Sequence, residues 1–175
     1  MFRAFSFFVF IMALSHLSLA AGGKRWGIGL NDPEGINLRL ALGSSKNHVM
    51  GLSYTTEQIG ILSSQTSVVT YTGYGLSYIW HYKSYGENGV YLKLGGQNLS
   101  MTKSNYYSSN YSGTTTMILG YFGYQSFWGP ISSHIGIGTK SPTNFTLDRV
   151  SGTGPTVLSG LFTGTNIDFG IALAF

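Results

Sequence analysis

The chain has 175 residues, of which 9% are charged and 15% aromatic, with 25 glycines and no cysteine. A soluble domain usually carries about 25% charged residues, so little is available to solvate a conventional exterior, and the missing thiols exclude disulfide staples and thiolate metal sites. Ten Lys and Arg against six Asp and Glu, dispersed along the chain, make no basic stripe for nucleic acid.

Residues 1–20 read as a secretory signal segment. Arg3 supplies the positive start, Phe5 to Leu14 the apolar run, and Ser18-Leu19-Ala20 the small-x-small cleavage pattern. Ser15, His16 and Ser18 interrupt the run and leave it too short to span a bilayer. Residues 21–175 are then expected to form one domain, and they contain no further apolar run long enough for a membrane-crossing helix.

Alternation with a period of two divides that domain into eight expected strands. The first, about 24–31, sets Trp26, Ile28 and Leu30 against Gly27 and Gly29, and Asp32-Pro33-Glu34-Gly35 is a turn signal. The second, about 35–43, sets Ile36, Leu38, Leu40 and Leu42 against Asn37, Arg39 and Ala41. After a turn at 44–47, the third, about 48–57, alternates Met50, Leu52 and Tyr54 with Gly51, Ser53 and Thr55; a longer loop is expected at 58–66. The fourth, about 67–83, carries Tyr74, Leu76, Tyr78, Trp80 and Tyr82 on one face and Gly73, Gly75, Ser77 and His81 on the other.

A tight turn at 85–89 leads to the fifth strand, about 89–101, where Val90, Leu92 and Leu94 alternate with Tyr91, Lys93 and Gly95. A polar loop is expected at 102–112, with Tyr106, Tyr107 and Tyr111 as contact surface. The sixth, about 113–127, shows no inward face because Met117, Ile118 and Leu119 are consecutive. Trp128-Gly129-Pro130 turns into the seventh, about 131–140, with Ile131, Ile135 and Ile137 opposite Ser132, His134, Gly136 and Gly138. Segment 141–164 is the longest without a pattern. The chain then closes on Asn166 to Phe175, where Ile167, Phe169, Ile171, Leu173 and Phe175 alternate with Asn166, Asp168, Gly170, Ala172 and Ala174.

Taken with the signal segment and the Asn166–Phe175 ending, residues 24–175 resemble the small eight-stranded β-barrels of bacterial outer membranes. The resemblance implies an all-β, transmembrane, antiparallel up-and-down barrel in a Gram-negative cell, with Phe175 completing the outward face and serving as an assembly signal. It also implies as partners outer-membrane lipids including lipopolysaccharide, the barrel-assembly machinery, and a surface ligand held by the outer loops. With the C-terminus in the periplasm, the connections at 32–34, 58–66, 102–112 and 141–164 lie outside, and those at 44–47, 84–88 and 128–130 inside.

Eight strands leave an interior that side chains fill, so Arg39, His81, Lys93, His134 and Asp168, with Glu57 near one end, are expected to form a polar network in a plugged lumen. Asp168 is placed to reach Arg39. The function implied is a structural or surface-interaction role; the alternatives are a lipid A-modifying enzyme and a narrow channel for small solutes. For the enzyme, the local candidates are Ser132 and His134, which share a face as i and i+2 neighbours, without the His-x-Ser order of the lipid A deacylases. His48, His81 and His134 sit on separate strands without paired metal-ligand spacing, and the Gly-rich stretches lack a nucleotide-binding context, so neither cofactor nor metal is expected. Intact-mass measurement of protein from the membrane should place its first residue at Ala21 or within one or two positions of it; retention of Met1 would overturn the signal reading.

Overall fold

The computed structural model describes residues 23–175 except 33, 63–65, 107–108, 144–145, 154 and 160–163; for 32, 57–62, 66–69, 103–106, 157–159 and 164 it describes the backbone alone. The expected signal segment, Ala21 and Tyr107 therefore lie outside the described residues, as do the side chains of Glu57 and Tyr106. Ten strands follow in chain order: β1 (Trp26–Asp32), β2 (Gly35–Leu42), β3 (His48–Leu62), β4 (Thr66–His81), β5 (Gly89–Tyr106), β6 (Ser109–Trp128), β7 (Ile131–Pro142), β8 (Thr146–Ser151), β9 (Val157–Ser159) and β10 (Gly164–Ala174).

Eight of these close into an antiparallel ring. Neighbours run β5-β4-β3-β2-β1-β10-β7-β6, and β6 pairs back with β5, so no strand of the ring is left as a full-length edge. β8 pairs with β6 beyond the end of β7, and β9 pairs with β8. Together they prolong the β7–β10 hairpin above the barrel.

The period-two pattern decides which way each strand faces, and the result is inside-out. Leu30 is 65% exposed, Ile135 63% and Ile171 65%, whereas Lys93 and Asp168 are 0% exposed. The outward apolar residues form a band that ends at Thr56, Thr72, Asn98, Thr116, Thr139 and Thr165, all facing out. On β4 the band runs from Tyr74 to Tyr82; at about 3.3 Å per residue and a tilt near 40° such a run rises about 20 Å. Trp26, Trp80, Tyr82 and Trp128 stand exposed at the end where the tight turns and Phe175 lie.

The interior is close-packed by setting tyrosines over glycines. A Cβ on Gly136 would meet the Tyr91 hydroxyl, one on Gly27 the Tyr85 hydroxyl, and one on Gly138 the Tyr121 ring. At the tight-turn end Ala41, Val49, Ile79, Tyr85, Phe127 and Ala174 pack with Tyr91 into an apolar cluster. Towards the far end Leu99, Met101, Met117, Leu119 and Leu147 are buried. Polar side chains fill the level between.

Several elements differ from the sequence reading. The expected loops at 58–66 and 102–112 are largely ladder, paired out to Leu62↔Thr66 and Tyr106↔Ser109. At 102–112 nearly every residue is Ser, Thr, Asn, Lys or Tyr, so the alternation that marks a strand vanishes while the backbone pairing continues; at 58–61 Ile59 and Ile61 still alternate with Gln58 and Gly60, a continuation of the third strand that the loop assignment passed over. β6 does have an inward face, Thr115, Met117, Leu119, Tyr121 and Gln125. Because the lumen is apolar at that level, both faces read alike. Phe175 is only 7% exposed, not part of the outward face, and its carbonyl accepts hydrogen bonds from the Arg25 and Trp26 amides.

One hairpin is short. β1 and β2 end at Asp32 and Gly35, where Gly35 takes a positive φ of 75° beside the Tyr54 carbonyl. β3 loses its β2 partner beyond Tyr54, and β10 its β1 partner beyond Phe169. The wall therefore has a notch between β3 and β10 at the far end.

Glycine positions should divide sharply by what faces them. A Cβ on Gly138 would strike the Gly120 carbonyl and the Tyr121 backbone, whereas one on Gly96 meets nothing closer than the Met117 carbonyl at 3.5 Å. Gly138→Ala should cost about 1–3 kcal/mol in a urea folding titration, by overpacking, and Gly96→Ala should leave the midpoint nearly unchanged.

Candidate functional site: a charged network across the lumen

The network is built around Lys93, which β5 points inward and whose ammonium is fully buried. Its Nζ donates to Asp168 Oδ1 at 2.8 Å and lies 3.0 Å from Glu34 Oε2. Asp168 comes from β10, and Glu34 from the short β1–β2 turn. One cation thus joins three parts of the wall.

Both carboxylates have further donors. Tyr91 Oη donates to Asp168 Oδ2 at 2.7 Å, and His134 Nε2 lies 3.6 Å from Asp168 Oδ1. Asn31 Nδ2 donates to Glu34 Oε2 at 2.7 Å. Asn37 Nδ2 donates to Asn31 Oδ1, and Arg39 Nε donates to Asn37 Oδ1 at 3.0 Å. The side chains Asp168, Lys93, Glu34, Asn31, Asn37 and Arg39 therefore form one continuous chain of polar contacts. Buried ions need such company, since a carboxylate or ammonium without partners costs several kcal/mol to desolvate.

Of the five residues expected in the lumen, all are buried, between 0% and 5% exposed. Lys93, Asp168 and His134 meet directly. Arg39 does not touch Asp168, contrary to the expected pairing; it reaches that carboxylate only through the asparagines, Glu34 and Lys93. A lysine from the opposite wall is long enough to cross a lumen this narrow, so it takes the place assigned to Arg39. His81 stands apart from the hydrogen-bonded chain, its ring 5.6 Å from Tyr85 and 6.2 Å from Tyr91, centroid to centroid.

Glu34, Tyr91, Asn31 and Asn37 were missed as members of the site. Glu34 was hidden in a segment read purely as a turn. The available signal was the length of that turn: it is far shorter than the other three connections at its end, and a short turn brings its own side chains down to the level of the lumen.

Ser132 and His134 do not form a nucleophile and base. Ser132 Oγ accepts from Gln125 Nε2 at 3.2 Å and donates to the Ala172 carbonyl at 3.5 Å, and it is fully buried. His134 faces Asp168 instead. A nucleophile must present its oxygen to both base and substrate; this serine is turned to a glutamine and to backbone. Among the described residues no three metal-binding side chains converge.

No protein family matches the chain, and neither a curated protein nor a solved structure matches it.

Removing one partner should expose how tightly the network is balanced. Asp168→Ala leaves Lys93 with a single carboxylate, and should destabilise the barrel by about 3–5 kcal/mol, as breaking a buried pair does. Combining Glu34→Gln, Lys93→Met and Asp168→Asn removes all three charges together and should recover most of that loss in the same folding titration. A silent Asp168→Ala would show that the pair carries no stability.

Proposed function

We propose that the chain is a bacterial outer-membrane β-barrel with a sealed lumen, serving a structural or surface-interaction role through its long hairpins. The observation that carries this reading is where the hydrogen-bond ring is complete. Hydrocarbon cannot solvate free backbone amides, so only a closed ladder can stand in it. Around this ring the ladder is closed through Tyr54 on β3 and Phe169 on β10, which takes in the outward apolar residues of both strands except Ile167, and the exterior turns polar at the next outward positions, Thr56 and Thr165.

The exterior chemistry agrees with that reading. A contiguous apolar surface of this extent is unusual on a soluble monomer, and its height of about 20 Å is near the ~25 Å band of transmembrane barrels. Exposed tryptophans and tyrosines at its tight-turn edge match an interfacial girdle. Inside, Lys93 is paired with both carboxylates, Arg39 is held by asparagines and rings fill the glycine hollows, which favours a plug over a solute channel. The turned-away Ser132 removes the local support for lipid-modifying chemistry. What remains for recognition is the far end, where β3–β4, β5–β6 and the β7–β10 hairpin stand beyond the polar boundary. The tip of the last is tied down by Tyr111 Oη donating to the Pro155 carbonyl at 3.0 Å.

The absence of cysteine allows a clean test of insertion and direction. Thr153→Cys on a hairpin tip should react with an impermeant maleimide on intact cells, and Glu87→Cys at the tight-turn end only after permeabilisation. Leu38→Arg on the outward face of β2 should cost roughly 2–4 kcal/mol in lipid, and the wild-type barrel should show no stable conductance in a planar bilayer. Labelling of neither site on intact cells together with a detergent-free soluble monomer would defeat the membrane reading; reproducible channels would defeat the sealed lumen. For the surface role, replacing 152–156 and 107–108 with Gly-Ser should abolish whole-cell adsorption to an immobilised surface while preserving the barrel; unchanged adsorption would count against it.

A further inference from the structure

Sorting the ionisable residues by their place in the barrel leaves the whole positive surplus of the expected mature chain at one end. The lumen sets Arg39 and Lys93 against Glu34 and Asp168, and the far-end strands set Lys103, Lys140 and Arg149 against Asp32, Glu57 and Asp148. The tight-turn end carries Lys24, Arg25, Lys46 and Lys83 against Glu87 alone. Arg25 and Lys83 are exposed, and Lys24 and Lys46 half-buried.

This surplus sits directly beside the aromatic edge of the apolar band. Arg25 precedes Trp26, and Lys83 follows Tyr82, with Trp80 and Trp128 exposed around the same rim. Between the turns lies a cleft of about 340 Å³ lined by Lys24, Lys46, Ser44, Ser84, Tyr85 and Glu87. Lys24 is held in place, its Nζ donating to the Gly129 carbonyl and lying 5.0 Å from the centre of the Phe127 ring.

We propose that this basic collar holds anionic phospholipids of the phosphatidylglycerol type in the leaflet on the tight-turn side. The inference rests on the membrane reading above. Aromatic side chains settle at the boundary between hydrocarbon and headgroups, so cations one residue further out fall at the level of the lipid phosphates. Each lysine or arginine near a membrane surface favours anionic lipid about fivefold. The cleft adds a preference among headgroups: its lysines suit the phosphate, while Glu87, Ser44 and Ser84 can accept hydrogen bonds from glycerol hydroxyls. At the far end charges balance, so the same attraction has no counterpart there.

The test compares lipids with identical acyl chains on the full mature barrel, first inserted into phosphatidylcholine vesicles and then transferred to detergent. Native mass spectrometry should show phosphatidylglycerol retained over phosphatidylcholine by at least about tenfold, and the preference should shrink between low and high salt as screening sets in. Lys24→Gln, Arg25→Gln, Lys46→Gln and Lys83→Gln combined should abolish it. Lys103→Gln, Lys140→Gln and Arg149→Gln combined should not. Equal retention of the two lipids by the wild type, a preference insensitive to salt, displacement by millimolar inorganic phosphate, or an undiminished preference in the collar variant would each overturn the proposal. The salt arm needs only the wild type, so the result stands even where the fourfold variant does not assemble. Failure of the wild type to enter phosphatidylcholine vesicles would defeat the membrane reading itself and the collar with it, whereas equal retention by an inserted barrel defeats the collar alone.

Discussion

A single buried ammonium organises the interior. Lys93 is fully enclosed, and its charge is tolerable only because Asp168 and Glu34 reach it from two other parts of the wall. Each of those carboxylates is as buried as the lysine and is satisfied in turn by Tyr91 or Asn31. Loss of any member strands the others in a medium that cannot solvate them, so the group stands or falls as a unit. It also sets geometry: Glu34 can reach Lys93 only if the β1–β2 turn is low in the wall. The low turn that leaves the notch in the far rim is the same turn that holds Glu34 within 3.0 Å of Lys93.

Closure of the ladder and inversion of polarity are two sides of one constraint. The ring of eight strands is paired over nearly all of the stretch where its exterior is apolar; the free edge of β10 starts beyond Phe169, with Ile167 the one outward apolar residue of that strand on it, and continues at Thr165. The interior then has to be filled by what an eight-stranded ring can hold. Glycines on β1, β6 and β7 leave hollows, and tyrosines from the turns, β5 and β6 occupy them. Bulk and hollow are matched across strands, which fixes register as firmly as the hydrogen bonds do, since a one-residue slip would turn every ring outward.

Much of this was legible in the chain. β2, β7 and β10 show apolar residues on one face and small or polar ones on the other, and their faces in the structure are those the alternation implies. The pattern fails where its physical basis fails. In β6, Met117 and Leu119 line an apolar part of the lumen, so inside and outside carry the same chemistry and no period survives. In the outer parts of β5 and β6 the residues are Ser, Thr, Asn, Lys and Tyr throughout, and backbone pairing leaves no trace in side-chain hydropathy. Phe175 continues the alternation on paper, and its backbone stays bonded to Arg25 and Trp26, but it follows the last strand residue, Ala174, and is buried, not part of the outward face. The site was half legible for a related reason. Alternation identifies which residues point inward on a strand, and so finds Arg39, Lys93 and Asp168; it says nothing of partners across the lumen or of a glutamate on a turn.

The balance of charges inside has a bearing on where function can reside. Among the described residues two cations and two carboxylates occupy the lumen, with Lys93 on both carboxylates and Arg39 held by an asparagine, while His81, Gln97 and His134 carry buried polar atoms without a hydrogen-bond partner. The two ends of the barrel are unlike. One has long hairpins with balanced charge and many tyrosine, serine and asparagine residues, suited to contacts that need adaptable hydrogen bonding. The other has tight turns, an aromatic rim and a surplus of lysine and arginine, suited to a planar anionic surface. On the proposed membrane reading, ends that differ in this way would give the barrel a direction through its charge distribution, since reversing it would exchange the surfaces met by the basic turns and the neutral hairpins.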